Sequence, residues 1–445
     1  MKKFEIRFSN EHLITPTGLG IIGLLLNKTD LKKRVDLIKT RENEMPQIKN
    51  SNVIISYLGL LCQGKSDFED IREMQEDPQF HEYALNINRI PSSETMRQRM
   101  DKLGKKKLRT VILEENVKLL NEAHVDLTPC SSQKKWMPLD IDVSPFDNSN
   151  TKKEGVSYTY KGFDGFAPIF AYLGEEGYQI NMEFRAGSDH CQKNTDEFLK
   201  ETILLAKKVT SENLLIRLDS GNDSVDNMKV CFTNETASDF IIKRNLRKES
   251  LNLWLLTAEN NESFPPVKPR DGKKVYTGSV YWDVKGLDRK VRVVYQVIER
   301  TILANGQLLL IPELEVQTWW TSLDLSEEDV IKLYNEHGTS EQFHSEIKTD
   351  MDLEKLPSGY FETNALVLEL ALMAYNILRI IGQESLKKDD VEIRHSVKRR
   401  RLRTVIQNLI TIASHFVRHS RKIYLDLGFS NIWRLPFKRI YEKFA

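Results

Sequence analysis

The chain has 445 residues, 40% hydrophobic and 29% charged, with a formal net charge of +1. That composition excludes a disordered chain and at this length describes a globular protein of two or three domains. A charge near zero excludes global attraction to nucleic acid, which leaves local runs such as "GKKKLR" (104–109) and "RHSVKRRRLR" (394–403), set against the acidic "DFEDIREMQED" (67–77).

The opening "MKKFEIRF" alternates like a strand, and no apolar segment follows its lysines to make a signal peptide. Segments 15–28, 51–61 and 106–123 space their apolar residues as helices do. Ser66 and Glu69 form a capping-box pattern, and Asp77-Pro78 reads as an N-cap with proline at the first helical position. "PSSETMRQRMDKLG" (91–104) reads as a helix capped by Ser92 or Ser93, with Arg97 and Arg99 near its middle. Exposed arginines on a small helical bundle suit a helix-turn-helix-like DNA reader, and suit an ordinary helical domain equally well. Residues 1–130 are expected to be a helical domain, to which the resemblance given below assigns DNA binding.

At residue 136 the pattern changes. "WMPLDIDVS" (136–144), 158–174 and "YQINMEFR" (178–185) read as three strands, and 195–209 as a helix capped by Thr195. "ENLLIRLDSGND" (212–223) reads as a buried strand ending at Asp219, and "SDFIIKRN" (238–245) as another. The first part of an α/β core thus spans 131–248, and a mainly β insertion spans 249–322. A second part of the core spans 323–385, and a basic helical C-terminal region spans 386–445. Within the second part of the core "ALVLELALMAYNILRII" (365–381) carries Glu369, Asn376 and Arg379, which a bilayer would penalise, so a buried helix and no membrane partner are expected. Four scattered cysteines without a C-x-x-C pair argue against a zinc ribbon and a disulfide scaffold, and point to a reducing cytoplasm.

Chemistry concentrates in three places. On a helix starting near Thr339, Glu341, Ser345 and Lys348 share one stripe, while Phe343 and Ile347 lie opposite as an apolar anchor. Asp142 sits in an otherwise apolar strand and Asp219 ends another, positions where a carboxylate needs a partner. Three carboxylates brought together repel one another, and divalent cations relieve that repulsion. Oxygen-only donors favour Mg²⁺ or Mn²⁺ over zinc, and two such ions serve phosphoryl transfer. A rival reading takes "EQFH" (341–344) and "EIRH" (392–395) as Glu-x-x-His units of a di-iron bundle, which would need four long helices. His337 and His344 are otherwise expected at the surface or facing DNA.

The ordered set "LDIDVS", "IRLDSG", "GTSEQFHSEIKTD" and "ALMAYNILR" resembles the DDE transposases of bacterial insertion sequences, over about residues 130–380. It resembles the branch with the signature Y-x-x-R-x-x-x-E-x-x-x-x-x-x-K, here Tyr334, His337, Glu341 and Lys348. His337 stands where that branch carries arginine, exchanging a guanidinium fork for an imidazole only partly charged near neutral pH. Asp140 and Asp142 share one strand face; the family motif, an aspartate with a hydroxyl residue two positions on, here Ser144, favours Asp142.

The resemblance implies a ribonuclease-H-like mixed sheet interrupted by the strand insertion. It implies that Asp142, Asp219 and Glu341 hold two Mg²⁺ ions, with Mn²⁺ able to substitute. The expected activity is cleavage at terminal inverted repeats and joining of the 3′-hydroxyl to target DNA, by a homodimer on double-stranded DNA in a bacterial cytoplasm. Tyr334, His337 and Lys348 would contact DNA, as would Arg97, Arg99, Lys398, Arg399, Arg400 and Arg401. Some members of the branch form a DNA hairpin and stack a flipped base on a tryptophan of the insertion. Of Trp254, Trp282, Trp319 and Trp320, the adjacent Trp319 and Trp320 are the expected stacking pair, because an extended chain would leave one ring outside the core. A nuclease without strand transfer and a catalytically silent DNA-binding derivative are the alternatives.

Overall fold

The computed structural model describes residues 3–8, 10–40, 47–130, 136–261, 265–388, 390, 397–420 and 422–445. Nine strands form its main sheet: β1 Trp136–Val143, β2 Ile169–Leu173, β3 Tyr178–Glu183, β4 Asn213–Leu218, β5 Asp239–Lys243, β6 Val267–Arg270, β7 Lys273–Asp283, β8 Lys290–Ile302 and β9 Leu308–Thr321. Their spatial order is β6-β7-β8-β9-β5-β4-β1-β2-β3. β1, β4 and β5 are mutually parallel, and every other pairing is antiparallel. Parallel central strands are covered on both faces, which is why Leu139, Ile141, Ile216 and Leu218 are fully buried.

The insertion extends this sheet. Trp319, Trp320 and Thr321 at the end of β9 pair with Lys243, Ile242 and Ile241 of β5, so the inserted strands continue the core sheet at its edge. The helix Phe361–Glu384 is long and apolar enough to cross a membrane, yet 94% of its most apolar window is buried inside the protein. It packs on β3 and on the helices Asn50–Leu61, Ser93–Gly104 and Arg109–Glu122. One apolar cluster consequently runs from Ile14 to Phe444, and position 130 marks no break in the core.

Several local expectations are corrected. Residues 3–8 form no strand, and Phe4, Ile6 and Phe8 are exposed, because alternation supplies two faces but no partner strand. Asp67, rather than Ser66, caps the turn at 68–70, accepting from the Glu69 amide at 2.9 Å. The helix at 195 begins after Asn194, whose φ is 51°, and Thr195 lies inside it. Segment 158–174 breaks into three short strands at Gly162, φ 89°, and Pro168. A helix, Leu251–Glu259, precedes the inserted strands. The C-terminal region is only partly helical: Ser414–His419 and Lys422–Leu427 pair antiparallel, and the former also pairs with Leu13–Ile14.

Candidate active site

Parallel pairing brings the carboxylates of two strands to the same end of the sheet. Asp140 is aligned with Arg217 and Ile141 with Leu218. Side chains alternate across a strand, so Asp142 and Asp219 fall one step further along on the face that carries Asp140 and Arg217. Asn222 donates to Asp219 Oδ1 at 2.7 Å from the turn that follows β4.

Glu341 comes from the short helix Ser340–Ser345, which passes into a wider π-helical turn at Glu346–Asp350. Phe343 and Ile347 are buried, as the apolar stripe requires. Phe343 packs on Tyr172 at 4.8 Å and fills the space above Gly177. A Cβ at Gly177 would stand 2.1 Å from Phe343 Cζ, so only glycine lets the anchor of this helix seat. A cleft of about 400 Å³ is lined by Asp142, Ser144, Tyr160, Lys161, Glu341 and Lys348 among others. A second, of about 580 Å³, shares Glu341 and Ser345 and is lined further by Lys398, Arg399 and Arg401.

The electrostatics are those of an acidic site short of cations. Asp142 keeps 20% side-chain exposure, and its carboxyl is pushed up to about 7, first by burial, then by the Asp219 carboxylate, with Glu341 adding. His344 lies 3.9 Å from Asp142 Oδ2, but burial, with Lys348 and His337 nearby, pushes its imidazole down to about 3, so it brings no positive charge. The phenols of Tyr160 and Tyr334 are both raised, first by burial and then by the charges of Asp142 and Asp219, and Tyr160 lines the cleft with Asp142. Burial lowers the Lys348 ammonium while Glu354 and Asp142 oppose the shift, and this lysine donates to the Pro145 carbonyl. All three acidic donors are oxygens, which fits a hard divalent ion, and a cation would relieve the repulsion that raises Asp142. Among the described residues no three His, Cys, Asp or Glu side chains already stand together as a metal-holding group.

The family described as Transposase DDE domain group 1 matches residues 1–445. The chain belongs to the DDE transposases. No curated protein matches it. Among solved structures, the cryo-EM structure of a piggyBac transposase synaptic complex with hairpin DNA is 12% identical, with 90% of this chain and 81% of that one covered. The TM-score is 0.44, too loose a likeness to build on.

In this transposase the histidines are corrected first: His337 and His344 are buried rather than facing solvent or DNA. His337 Nδ1 stands 3.1 Å from Asp140 Oδ1, out of line for a hydrogen bond. Tyr334 is half-buried between Trp319 and His337, each 5.8 Å away. The strand aspartates separate cleanly, since Asp140 is bound by Arg217 through two hydrogen bonds of 2.6 and 2.7 Å while Asp142 faces the cleft. Of the rival Glu-x-x-His pair, 392–395 lies outside the described residues.

Arginines proposed for DNA are largely committed within the protein. Arg99 is buried and donates to Asn50 at 2.7 Å and Thr40 at 3.1 Å, so it cannot reach a duplex. Arg97 pairs with Glu69 at 2.8 Å and Glu94 at 3.0 Å. Arg400 donates to Ser385, and Arg401 binds Asp350 through both nitrogens at 2.9 and 3.0 Å. Arg399 covers the Phe343 ring at 4.6 Å, while Lys398, 70% exposed, pairs with Glu175 at 2.7 Å. The tryptophan pair is corrected as well. Trp319 and Trp320 do point to opposite faces, but each face is covered, and both rings are buried in different apolar clusters. Sequence reading missed Tyr160 and Lys161, which no motif marks, and Arg217, whose signal was an arginine inside the apolar run "LLIRL".

Proposed function

We propose that this transposase cuts DNA at the terminal inverted repeats of its element and joins the freed 3′-hydroxyl to target DNA, with Asp142, Asp219 and Glu341 as its metal-binding carboxylates. The observation that carries the reading is the placement of the acids: the aligned ends of β1 and β4 and the Glu341 helix set the buried Asp142 against the charges of Asp219 and Glu341, and Asp142 and Glu341 open on one cleft. The strand order β5-β4-β1-β2-β3, in which β2 alone runs against the other four, supports a ribonuclease-H-like core. Asp142, Asp219 and Glu341 would hold two divalent ions, Mg²⁺ or Mn²⁺. When bound, such ions polarise a phosphodiester and make an oxygen nucleophile available near neutral pH.

The surrounding side chains then have definite tasks. Lys348 supplies a positive charge in the cleft for a phosphate oxygen next to the scissile bond. Tyr160 and Tyr334 keep their protons; the Tyr160 hydroxyl donates to the Val143 carbonyl at 3.1 Å, which ties its ring to the strand that carries Asp142, and the Tyr334 hydroxyl serves as a neutral donor. His344, neutral and packed between Phe170 and Tyr172, shapes the wall without cancelling the charge that a metal needs. Lys398 and the exposed Lys105, Lys106 and Lys107 offer local phosphate contacts, and the joining step calls for two copies of the chain, one for each element end.

A strand-transfer assay in the cytoplasm's own metal, Mg²⁺, tests this reading. Labelled DNA carrying the repeats that flank the reading frame should give joined products. Cleaved products alone would make the protein a nuclease, and bound but uncut DNA would make it a silent derivative.

A further inference from the structure

Directly beneath the acids lies an ion pair that neither cleft contains. Arg217 and Asp140 are aligned on adjacent parallel strands, both with side chains 3% exposed, and meet as a bidentate fork at 2.6 and 2.7 Å. The remaining guanidinium nitrogen, Nη1, donates to the Leu333 carbonyl at 2.7 Å and lies 4.0 Å from Glu336. His337 closes the group at 3.1 Å from Asp140.

Three elements therefore meet on one guanidinium. β1 carries Asp142 two residues beyond Asp140, and β4 is followed by Asp219 two residues beyond Arg217. Leu333 lies in the last turn of the helix Glu327–Asn335, whose backbone runs on through the turn 336–339 into the Glu341 helix. Asn335, Glu336, Thr339 and Ser340 all keep right-handed helical angles, so a shift at Leu333 passes along to Glu341. Stability does not explain such a group. A buried ion pair is commonly matched or bettered by apolar residues of similar volume, whereas a planar fork fixes direction as well as distance.

We propose that Arg217, held by Asp140, is the positioning residue that sets the relative placement of the strand ends and the helix bearing Asp142, Asp219 and Glu341. The inference rests on the reading of those three as metal ligands. Residues that orient ligands without touching the metal typically govern its affinity by about 10–100-fold.

The test compares the full chain with a double variant, Asp140→Leu with Arg217→Met, and with Arg217→Lys and Asp142→Asn. Three measurements are made: thermal midpoint, Mn²⁺ affinity of the DNA-free protein by electron paramagnetic resonance, and nicking of supercoiled plasmid in Mn²⁺. The double variant should melt near the wild-type midpoint yet bind Mn²⁺ about 10–100-fold more weakly, with nicking reduced. Wild-type Mn²⁺ affinity and nicking in a double variant of wild-type midpoint would overturn the proposal, leaving the pair a structural contact. Should the double variant not fold, Arg217→Lys decides. It keeps the buried charge but loses the fork, so weakened Mn²⁺ binding supports positioning and unchanged binding refutes it. Asp142→Asn separates the two failures. If it binds Mn²⁺ as wild type does, the site reading falls and the inference with it; if it loses Mn²⁺ while the clamp variants keep it, only the clamp inference falls.

Discussion

The strand-end acids and the aromatic cluster of the insertion both bury charge, and they do so in opposite ways. Arg244 lies 4.4 Å from the Trp282 ring and 4.6 Å from that of Trp320, donates to Thr318 at 3.2 Å, and pairs with Glu249 at 2.6 Å. Two tryptophan N–H groups are satisfied by carboxylates, Trp320 on Asp223 at 2.9 Å and Trp254 on Glu249 at 3.0 Å. Arg244 thus meets both an opposite charge and aromatic faces, and Asp223 is held by N–H donors of Trp320 and Asn245. Around Asp142 burial and the carboxylates of Asp219 and Glu341 raise its carboxyl, His344 is neutral, and His337 and Lys348 oppose that rise without reversing it. Burial of a charge is common to both regions; the gathering of like charges distinguishes the site.

Substitution of the acids should separate the regions most sharply. Asp142→Asn, Asp219→Asn and Glu341→Gln should each lower cleavage by more than the roughly 100-fold upper end seen for residues that only orient ligands, with end binding nearly unchanged in mobility-shift assays. Cleavage retained by one variant would remove that residue from the site. Asp140→Asn should instead lower stability, because it leaves Arg217 buried without its partner.

The aromatic region should respond in stability. Trp319→Ala or Trp320→Ala should cost about 3–5 kcal/mol in chemical denaturation, as deletion of a buried ring does, with all DNA steps falling together. An unchanged midpoint with a selective loss of second-strand processing would restore the base-stacking role that burial argues against.

A buried charge far from the site sharpens the contrast at a smaller scale. Burial pushes the Glu369 carboxyl up to about 8, and Arg109 offsets only part of that. The folded state thus keeps a proton that the unfolded chain releases near its ordinary 4.5. Stability is full below that value and is lost progressively as pH rises toward 8, then levels off. Glu369→Gln should accordingly raise the thermal midpoint by about 2–4 °C at pH 8 and leave it unchanged at pH 4. A gain equal at both pH values would show that ionisation is not the cause.

The smallest effect concerns the basic run. Lys398→Ala should reduce the slope of log binding constant against log salt by about 0.9, one phosphate contact. No change in slope would mean that its pair with Glu175 is its whole role.

The order of strands and helices around the acids was legible because alternation and helical spacing are local properties of the chain. "IDVS" and "RLDS" each place a carboxylate where a parallel strand ends, and Phe343 with Ile347 identifies the inward side of the Glu341 helix. The basic runs misled for a related reason. A run such as "KRRRLR" reports charge but not partners, and Asp350, Ser385 and Gln342, which engage its arginines, lie elsewhere in sequence. Arg99 misled likewise, since its hydrogen-bond acceptor Asn50 sits 49 residues upstream.

By itself the sequence singled out the candidate groups: three carboxylates, a lysine seven residues beyond the last, and the elements that carry them. Which of two aspartates on one strand face is open to a ligand was decided only in the tertiary structure. Asp140 and Asp142 have the same side chain and the same direction along β1, and differ because the register of β4 sets Arg217 beside the first and leads on to Asp219 beside the second. Register is a property of two strands brought together from distant parts of the chain, so no local pattern contains it.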